Sequence, residues 1–106
     1  MSEFATTPKP PYYAVIFTSL KIEEDKGYYK MANKMIEIAS KQEGFLGVES
    51  AREELGITVS YWKDEESIIK WKANLEHIQA QKMGQELWYK KYKIRIAKVE
   101  RDYDNF

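Results

Sequence analysis

His77 is the one histidine among 106 residues, and imidazole is the side chain whose ordinary pKa lies closest to neutral. It lies in the segment WKANLEHIQAQKMGQELWY, residues 71–89, between two of the chain's three tryptophans. On a continuous helix of about 3.6 residues per turn, His77 shares a flank with Asn74 and Gln81. Because this row is uncharged and rich in hydrogen-bonding groups, it predicts a pocket wall in which the amides bind a ligand and His77 assists binding or proton transfer. A solvated helix flank is the alternative that the same row allows.

Aromatic residues near this row are the second set of candidates for ligand binding. Trp71 and Trp62 can stack on a flat aromatic ligand, and the phenol of Tyr89 can hydrogen-bond to a polar one. Each has a structural alternative, because Trp71 falls on an apolar helical stripe that suits a core and Tyr89 suits an interface. On the second predicted strand, Arg52 and Glu49 can pair with each other or orient a carbonyl group of a ligand.

Residue types that hold metals and cofactors are sparse in this sequence. One histidine, no cysteine and no HExxH spacing predict that there is no metal site. The glycines form no phosphate-binding loop, and no motif supports flavin or nicotinamide binding. We therefore predict that the protein uses no cofactor.

The balance of charge excludes some classes of partner. Seventeen basic residues match seventeen acidic ones, so the net charge does not predict binding to nucleic acid or to an anionic membrane. KQEGFLGV is similar to an RNA-binding strand, but Glu43 stands where that pattern needs a neutral or basic residue. No apolar run approaches the length of a membrane span or a signal segment, and cysteine is absent. These features predict a soluble, cytoplasmic protein.

The pattern along the chain predicts one domain at residues 12–106, in the order β-α-β-β-α-β. Residues 1–11 carry three prolines and no apolar periodicity, which predicts a flexible or extended segment ahead of that domain. This element order is the split βαβ arrangement of ferredoxin-like α+β domains, in which an antiparallel sheet carries both helices on one face. The first predicted elements are a strand from Tyr12 and a helix with the apolar stripe Tyr28, Met31, Met35 and Ile38, which stops near Gly44. Two strands follow, FLGVESAR and ITVSYW, joined by the loop EELG. The last two elements are a helix capped by Asp64, with the stripe Ile68, Trp71, Leu75 and Ile78, and a final strand in YKKYKIRIAKVER.

Both faces of the predicted strands are apolar. In the first strand Val15 and Phe17 point one way while Ala14 and Ile16 point the other, by the two-residue period of a strand. Two helices cover only one side of a four-stranded sheet, so the other side needs a partner. We predict a homodimer in which two sheets pack face to face. The alternative is that the C-terminal segment folds over the open side.

The chain resembles the antibiotic biosynthesis monooxygenase domain family of dimeric α+β barrels. The likeness extends from about Tyr13 to Arg101, in QEGFLGVESAR, GITVSYWKDEESIIKWKANLEHIQAQKMGQELWY and YKIRIAKVER. Its most specific part is the strand that ends at Trp62, followed by an acidic turn, Trp71 and His77. The resemblance implies a dimeric α/β barrel with a ligand cavity between each sheet and its helices.

Several activities occur in the family that the chain resembles, including quinone-forming monooxygenases without a cofactor, haem-degrading enzymes and an isomerase. The resemblance implies a monooxygenase that acts on a small aromatic or phenolic compound, with the substrate itself reducing oxygen. The alternative is a dimeric ligand-binding or stress-related accessory protein without catalysis. The haem-degrading branch uses an Asn, a Trp and a His. Here Trp71 matches the Trp, but Ile16 and Gln81 stand near the other two positions, so haem degradation is the less expected activity.

Overall fold

The fold is a four-stranded antiparallel sheet with two helices, in a computed structural model that describes residues 4–21, 28–82 and 89–106. For Lys21 and residues 28–32, 75–82 and 89–90, the backbone alone is described. The strand order is β2-β3-β1-β4, and each neighbouring pair is antiparallel. This arrangement confirms the ferredoxin-like α+β prediction. The elements are β1 (Tyr12–Lys21), α1 (Tyr28–Ser40), β2 (Phe45–Arg52), β3 (Leu55–Trp62), α2 (Glu65–Lys82) and β4 (Tyr89–Val99).

The strand register divides the sheet into two faces. Odd-numbered residues of β1 lie opposite even-numbered residues of β3, and together they form the side that carries the helices, here called the helix face. Among the described residues, a buried cluster on this face contains Val15, Trp62, Ala39 and Ile68, and Trp62 has no exposed surface. Losing a buried aromatic of this kind costs about 3–5 kcal/mol, so this cluster holds the sheet and both helices together. The opposite side of the sheet is here called the open face.

Helix α2 begins where the sequence predicts it. The Asp64 carboxylate accepts a hydrogen bond of 2.8 Å from the backbone N–H of Ser67, which is the geometry of an N-cap. Hydrogen bonds from the side chain and the backbone of Ser67 lower the pKa of Asp64. Glu65 and Glu66 occupy the first turn, where the helix dipole favours negative charge. The cap fixes the start of α2 beside the end of β3.

The β2–β3 hairpin is tighter than the sequence suggests. The sequence predicts EELG as the loop, but β3 already begins at Leu55, so only Glu53 and Glu54 lie between the strands. The reason is tertiary, because Leu55 and Gly56 pair with Leu20 and Ser19 of β1. The hairpin therefore extends to the end of β1.

Residues 4–11 contact one end of the open face. The backbone N–H of Ala5 donates to Glu49 Oε2 at 2.9 Å, and Thr7 Oγ1 donates to the phenol oxygen of Tyr12 at 3.1 Å. Gly47 makes this approach possible, because a Cβ at that position would meet Ala5. These contacts place the segment on the sheet; its flexibility stays a prediction.

The C-terminal residues reach the same end of the molecule. The phenol O–H of Tyr12 donates a hydrogen bond of 2.5 Å to Asp102 Oδ2. Phe106 stacks on Phe4 with ring centroids 5.7 Å apart. Leu55 and Ile57 lie toward the other end of the open face and are 50% and 41% exposed. Among the described residues, no helix is long and apolar enough to cross a membrane.

Candidate functional site

Two of the predicted ligand-binding tryptophans meet on the helix face. The rings of Trp62 and Trp71 have centroids 5.1 Å apart at an angle of 35°, and Phe45 meets Trp62 edge-on at 5.4 Å. The indole N–H of Trp62 donates to Ser60 Oγ at 2.9 Å. Trp62 is thus satisfied and fully enclosed, whereas Trp71 is half-buried and forms the outer wall of the cluster.

The indole nitrogen of Trp71 differs from that of Trp62. Its Nε1 atom is buried, and it finds no hydrogen-bond partner among the described residues. A buried donor without an acceptor destabilises a fold by about 1–3 kcal/mol. Such a group is a natural place for the oxygen atom of a bound ligand.

Asn74 lies one turn after Trp71 and is exposed. Its Nδ2 atom donates to Gln42 Oε1 at 3.1 Å, which links α2 to the turn that follows α1. The side chains of His77, Gln81 and Tyr89 lie outside the described part of the structure. The binding and proton-transfer roles assigned to these four residues therefore stay predictions.

A second group on the helix face lies in one row across three strands. Arg52 ends β2, pairs with Gly56 of β3, and Gly56 pairs with Ser19 of β1. Nη2 of Arg52 donates to Ser19 Oγ, and the guanidinium occupies the space that a side chain at Gly56 would need. The sequence shows Arg52 as a candidate, but it gives no sign that Gly56 and Ser19 lie beside it.

The next row and the edge strand extend this surface. Ser50 and Thr58 share a hydrogen bond between their hydroxyl groups at 2.9 Å. Phe17 of β1 stacks on Tyr92 of β4, with ring centroids 5.6 Å apart and planes 29° apart. Tyr92, together with Ile94 and Ile96, is an exposed apolar residue on the helix face of β4. This part of the helix face thus combines hydroxyl groups, the Arg52 guanidinium and aromatic rings.

Glu49 and Arg52 do not lie on one side of the sheet. Glu49 pairs with Val59 in the register and faces the open side, whereas Arg52 pairs with Gly56 and faces the helices. Glu49 Oε1 accepts a hydrogen bond of 2.7 Å from the phenol O–H of Tyr61. The expectation that these two residues pair is wrong because their spacing of three puts them on opposite faces.

Two phenols on the open face share one polar network. Tyr12 meets Tyr61 edge-on, with ring centroids 5.8 Å apart. Burial raises the pKa of Tyr61, and the hydrogen bond to Glu49 raises it further. Burial also raises the pKa of Tyr12, with Asp102 adding to the shift. Both phenols therefore act as hydrogen-bond donors that hold the terminal segments and β2 in place.

A family model supplies the comparison that decides the classification. The model of the antibiotic biosynthesis monooxygenase family matches residues 11–83, which include β1 through the end of α2. The chain belongs to this family. It is also 50% identical over 103 residues to the uncharacterized protein YqjZ of Bacillus subtilis (strain 168), with 95% of this chain and 90% of that protein covered.

Solved structures share the same architecture. PA3566 from Pseudomonas aeruginosa superposes with a TM-score of 0.68 at 15% identity, covering 91% of this chain and 99% of the other. A conserved protein from Methanosarcina mazei Go1 superposes with a TM-score of 0.69 at 20% identity, covering 82% and 91%. At such identities the likeness is one of fold alone. It supports the ferredoxin-like assignment of a chain whose family is already shown.

Proposed function

We propose that the protein is a cofactor-independent monooxygenase that oxidises a small phenolic aromatic compound on the helix face, beside Trp71. Membership in the antibiotic biosynthesis monooxygenase family supports the class of reaction. The observation that carries the site is the buried indole N–H of Trp71, which has no acceptor among the described residues. A phenolate or carbonyl oxygen of the substrate accepts a hydrogen bond from this N–H.

The surroundings of Trp71 suit a flat ring. Trp71 packs against Trp62 and is half-buried, so one part of its surface is available to a ligand. Aromatic pairs of this type add about 0.5–1.5 kcal/mol beyond the area that they bury. Ring stacking and one directed hydrogen bond together fix both the plane and the rotation of a phenol.

The reaction balances without an added reductant. A phenol with a free para carbon loses its hydroxyl proton, and the resulting anion gives electrons to O₂. One oxygen atom bonds to the para carbon, the hydrogen there leaves, and the other oxygen atom departs as water. The products are a quinone and one water molecule, so the substrate supplies all four electrons that O₂ takes up. The protein's part is to hold the ring, stabilise the oxyanion through Trp71 and accept a proton, the role predicted for His77.

Oxygen uptake with 1-naphthol tests the proposal. We expect conversion to 1,4-naphthoquinone, and with labelled O₂ one labelled atom in the quinone and one in water. Trp71→Phe keeps the ring but removes the donor, so it should lower kcat/KM by about tenfold to a hundredfold, the range expected for a hydrogen bond to a charged group. Uptake no faster than without protein, across naphthols with a free para carbon, would refute the activity.

We further propose that the working form is a homodimer joined through the open face. Leu55 and Ile57 expose apolar surface at one end of this face. Ile16 and Val59 pair with each other in the middle of the face, between these two residues and the buried Ala14. Packing a second sheet against this surface removes it from water. The terminal segments cover the other end, so the second copy is expected to dock around them rather than replace them.

A further inference from the structure

The open face carries cations along one of its two long edges. β4 is an edge strand, and its residues Lys91, Lys93 and Arg95 pair with even-numbered residues of β1. Because those residues of β1 face the open side, the three cations face it as well. All three are exposed, and none forms an ion pair with another described residue. We call this row the basic edge.

The opposite edge of the same face is acidic. Glu53 and Glu54 form the turn between β2 and β3, and Glu49 lies on the open side of β2. Both turn residues are exposed, and neither forms an ion pair with another described residue. The Glu49 carboxylate accepts hydrogen bonds from Tyr61 and from the backbone N–H of Ala5. We call Glu49, Glu53 and Glu54 the acidic edge.

The strand register places the two edges level with each other. Leu20 pairs with Leu55 on one side and with Lys91 on the other, so Lys91 is level with the turn that directly precedes Leu55. Glu49 and Arg95 likewise lie at the two ends of one row across the sheet. Between the edges, β3 and β1 present a largely apolar band. The open face is therefore apolar in the middle, acidic along β2 and basic along β4.

This pattern of charge distinguishes two ways of packing two open faces together. A two-fold axis parallel to the strands places the acidic edge of each copy over the basic edge of the other, at the same level. A two-fold axis across the strands instead places β4 over β4 and brings the two basic edges together. Opposite charges that face each other are favourable and like charges are not. Packed sheets lie about 10 Å apart, a gap that a lysine and a glutamate side chain span together.

We propose that two copies pack open face to open face about a two-fold axis parallel to the strands, with Lys91 of each copy beside Glu53 and Glu54 of the other. This inference rests on the homodimer of the proposed function and adds its orientation and its charged contacts. The helix faces of the two copies then point outward, so the two Trp71 sites lie on opposite sides of the dimer.

Charge reversal tests this orientation. Lys91→Glu, and a hairpin variant that combines Glu53→Lys with Glu54→Lys, each place like charges at both symmetric contacts. Each should raise the dimer Kd, measured by analytical ultracentrifugation, by about tenfold to a hundredfold. In a mixture of the two variants, a heterodimer again has opposite charges at both contacts, so its Kd should return to within about threefold of the wild-type value. Lys98→Glu is the matched control, because Lys98 is exposed on the helix face of β4, and it should leave the Kd unchanged.

The opposite results separate this inference from the proposed function. A tighter dimer for Lys91→Glu is expected if β4 lies over β4, and it overturns the orientation. An unchanged Kd, equal weakening by Lys98→Glu, or a mixture no tighter than its components overturns it as well. A monomeric wild-type protein overturns the homodimer and its orientation together, whereas oxygen uptake with 1-naphthol tests the catalytic proposal independently.

Cross-linking decides the question if the charge variants do not fold. The chain contains no cysteine, so introduced thiols are the only ones present. Ala51 is level with Lys93 across the sheet, and both face the open side. Ala51→Cys mixed with Lys93→Cys should give covalent dimers with a bismaleimide about 10 Å long, the usual distance between packed sheets. Lys93→Cys alone should give none, and efficient linking of that variant to itself overturns the orientation.

Discussion

Burial and the carboxylate of Glu49 raise the pKa of Tyr61 above its ordinary value of 10.0. In the unfolded chain this phenol loses its proton near pH 10, while the folded protein keeps it to higher pH. The folded state therefore binds more protons in that range, and the free energy of unfolding must fall as the pH rises. Below about pH 10 the protonated Tyr61 phenol makes its full contribution to the free energy of unfolding.

Tyr61→Phe removes this contribution. In urea titrations from neutral pH to above pH 10, the wild-type free energy of unfolding should fall more steeply with pH than that of the variant. Tyr103→Phe, in the exposed C-terminal segment, is the control and should keep the wild-type slope. Equal slopes for wild type and Tyr61→Phe would contradict the assignment.

His77 carries the predicted proton-transfer role on α2. His77→Ala should lower the turnover of 1-naphthol by about 10²- to 10⁴-fold, the usual contribution of a positioned acid or base, while the melting temperature stays unchanged. Lys72→Ala changes an exposed residue on the same helix and should leave turnover as it is. A solvated His77 predicts the opposite result, in which the two variants behave alike.

At the scale of elements, Gly44 lies where the end of α1, the end of β3 and the start of α2 come together. It follows α1, its carbonyl accepts a hydrogen bond of 2.8 Å from the N–H of Lys63, and its φ is +89°. A Cβ there would also collide with Ser67 at the start of α2. Gly44→Ala should lower the free energy of unfolding by about 1–3 kcal/mol from the backbone alone, with the collision adding to that loss.

Adding Ser67→Gly separates the two causes. It removes the colliding side chain but leaves the positive φ, so the double variant should lose less stability than the sum of the single variants, as measured in urea. A loss below about 0.5 kcal/mol for Gly44→Ala would show that the turn relaxes easily.

The elements that the sequence predicts are those whose causes are local. The Asp64 cap joins two residues that are three positions apart, and the alternation of β1 is visible in one short run. Arg52, Gly56 and Ser19 come together because three separate strands pair in one register, and no local sequence pattern predicts that register. Asn74 shows the same limit, since its partner Gln42 is distant in sequence.

At the scale of the whole molecule, the exposed end of the open face predicts association. Light scattering at micromolar concentration should give a particle of twice 12.6 kDa. Ile57→Lys puts a charge into the apolar surface and should shift the particle to the monomer mass or unfold it. Ile69→Lys is the control, because Ile69 lies on α2 and is 67% exposed. A monomeric wild-type protein, or dissociation by both substitutions, would count against the proposed interface.

Trp62 and Trp71 also give the protein an optical signal of its own. Two indoles with centroids 5.1 Å apart and planes tilted by 35° have coupled transition dipoles, so they should produce a paired positive and negative band in the circular dichroism spectrum. One indole is carried by the sheet and the other by α2, so the size of that couplet reports how closely the helix lies on the strands. With Trp88→Phe removing the third indole, a compound that settles beside Trp71 changes the couplet whether or not it reacts. Candidate substrates can then be sorted by spectrum before any turnover is known.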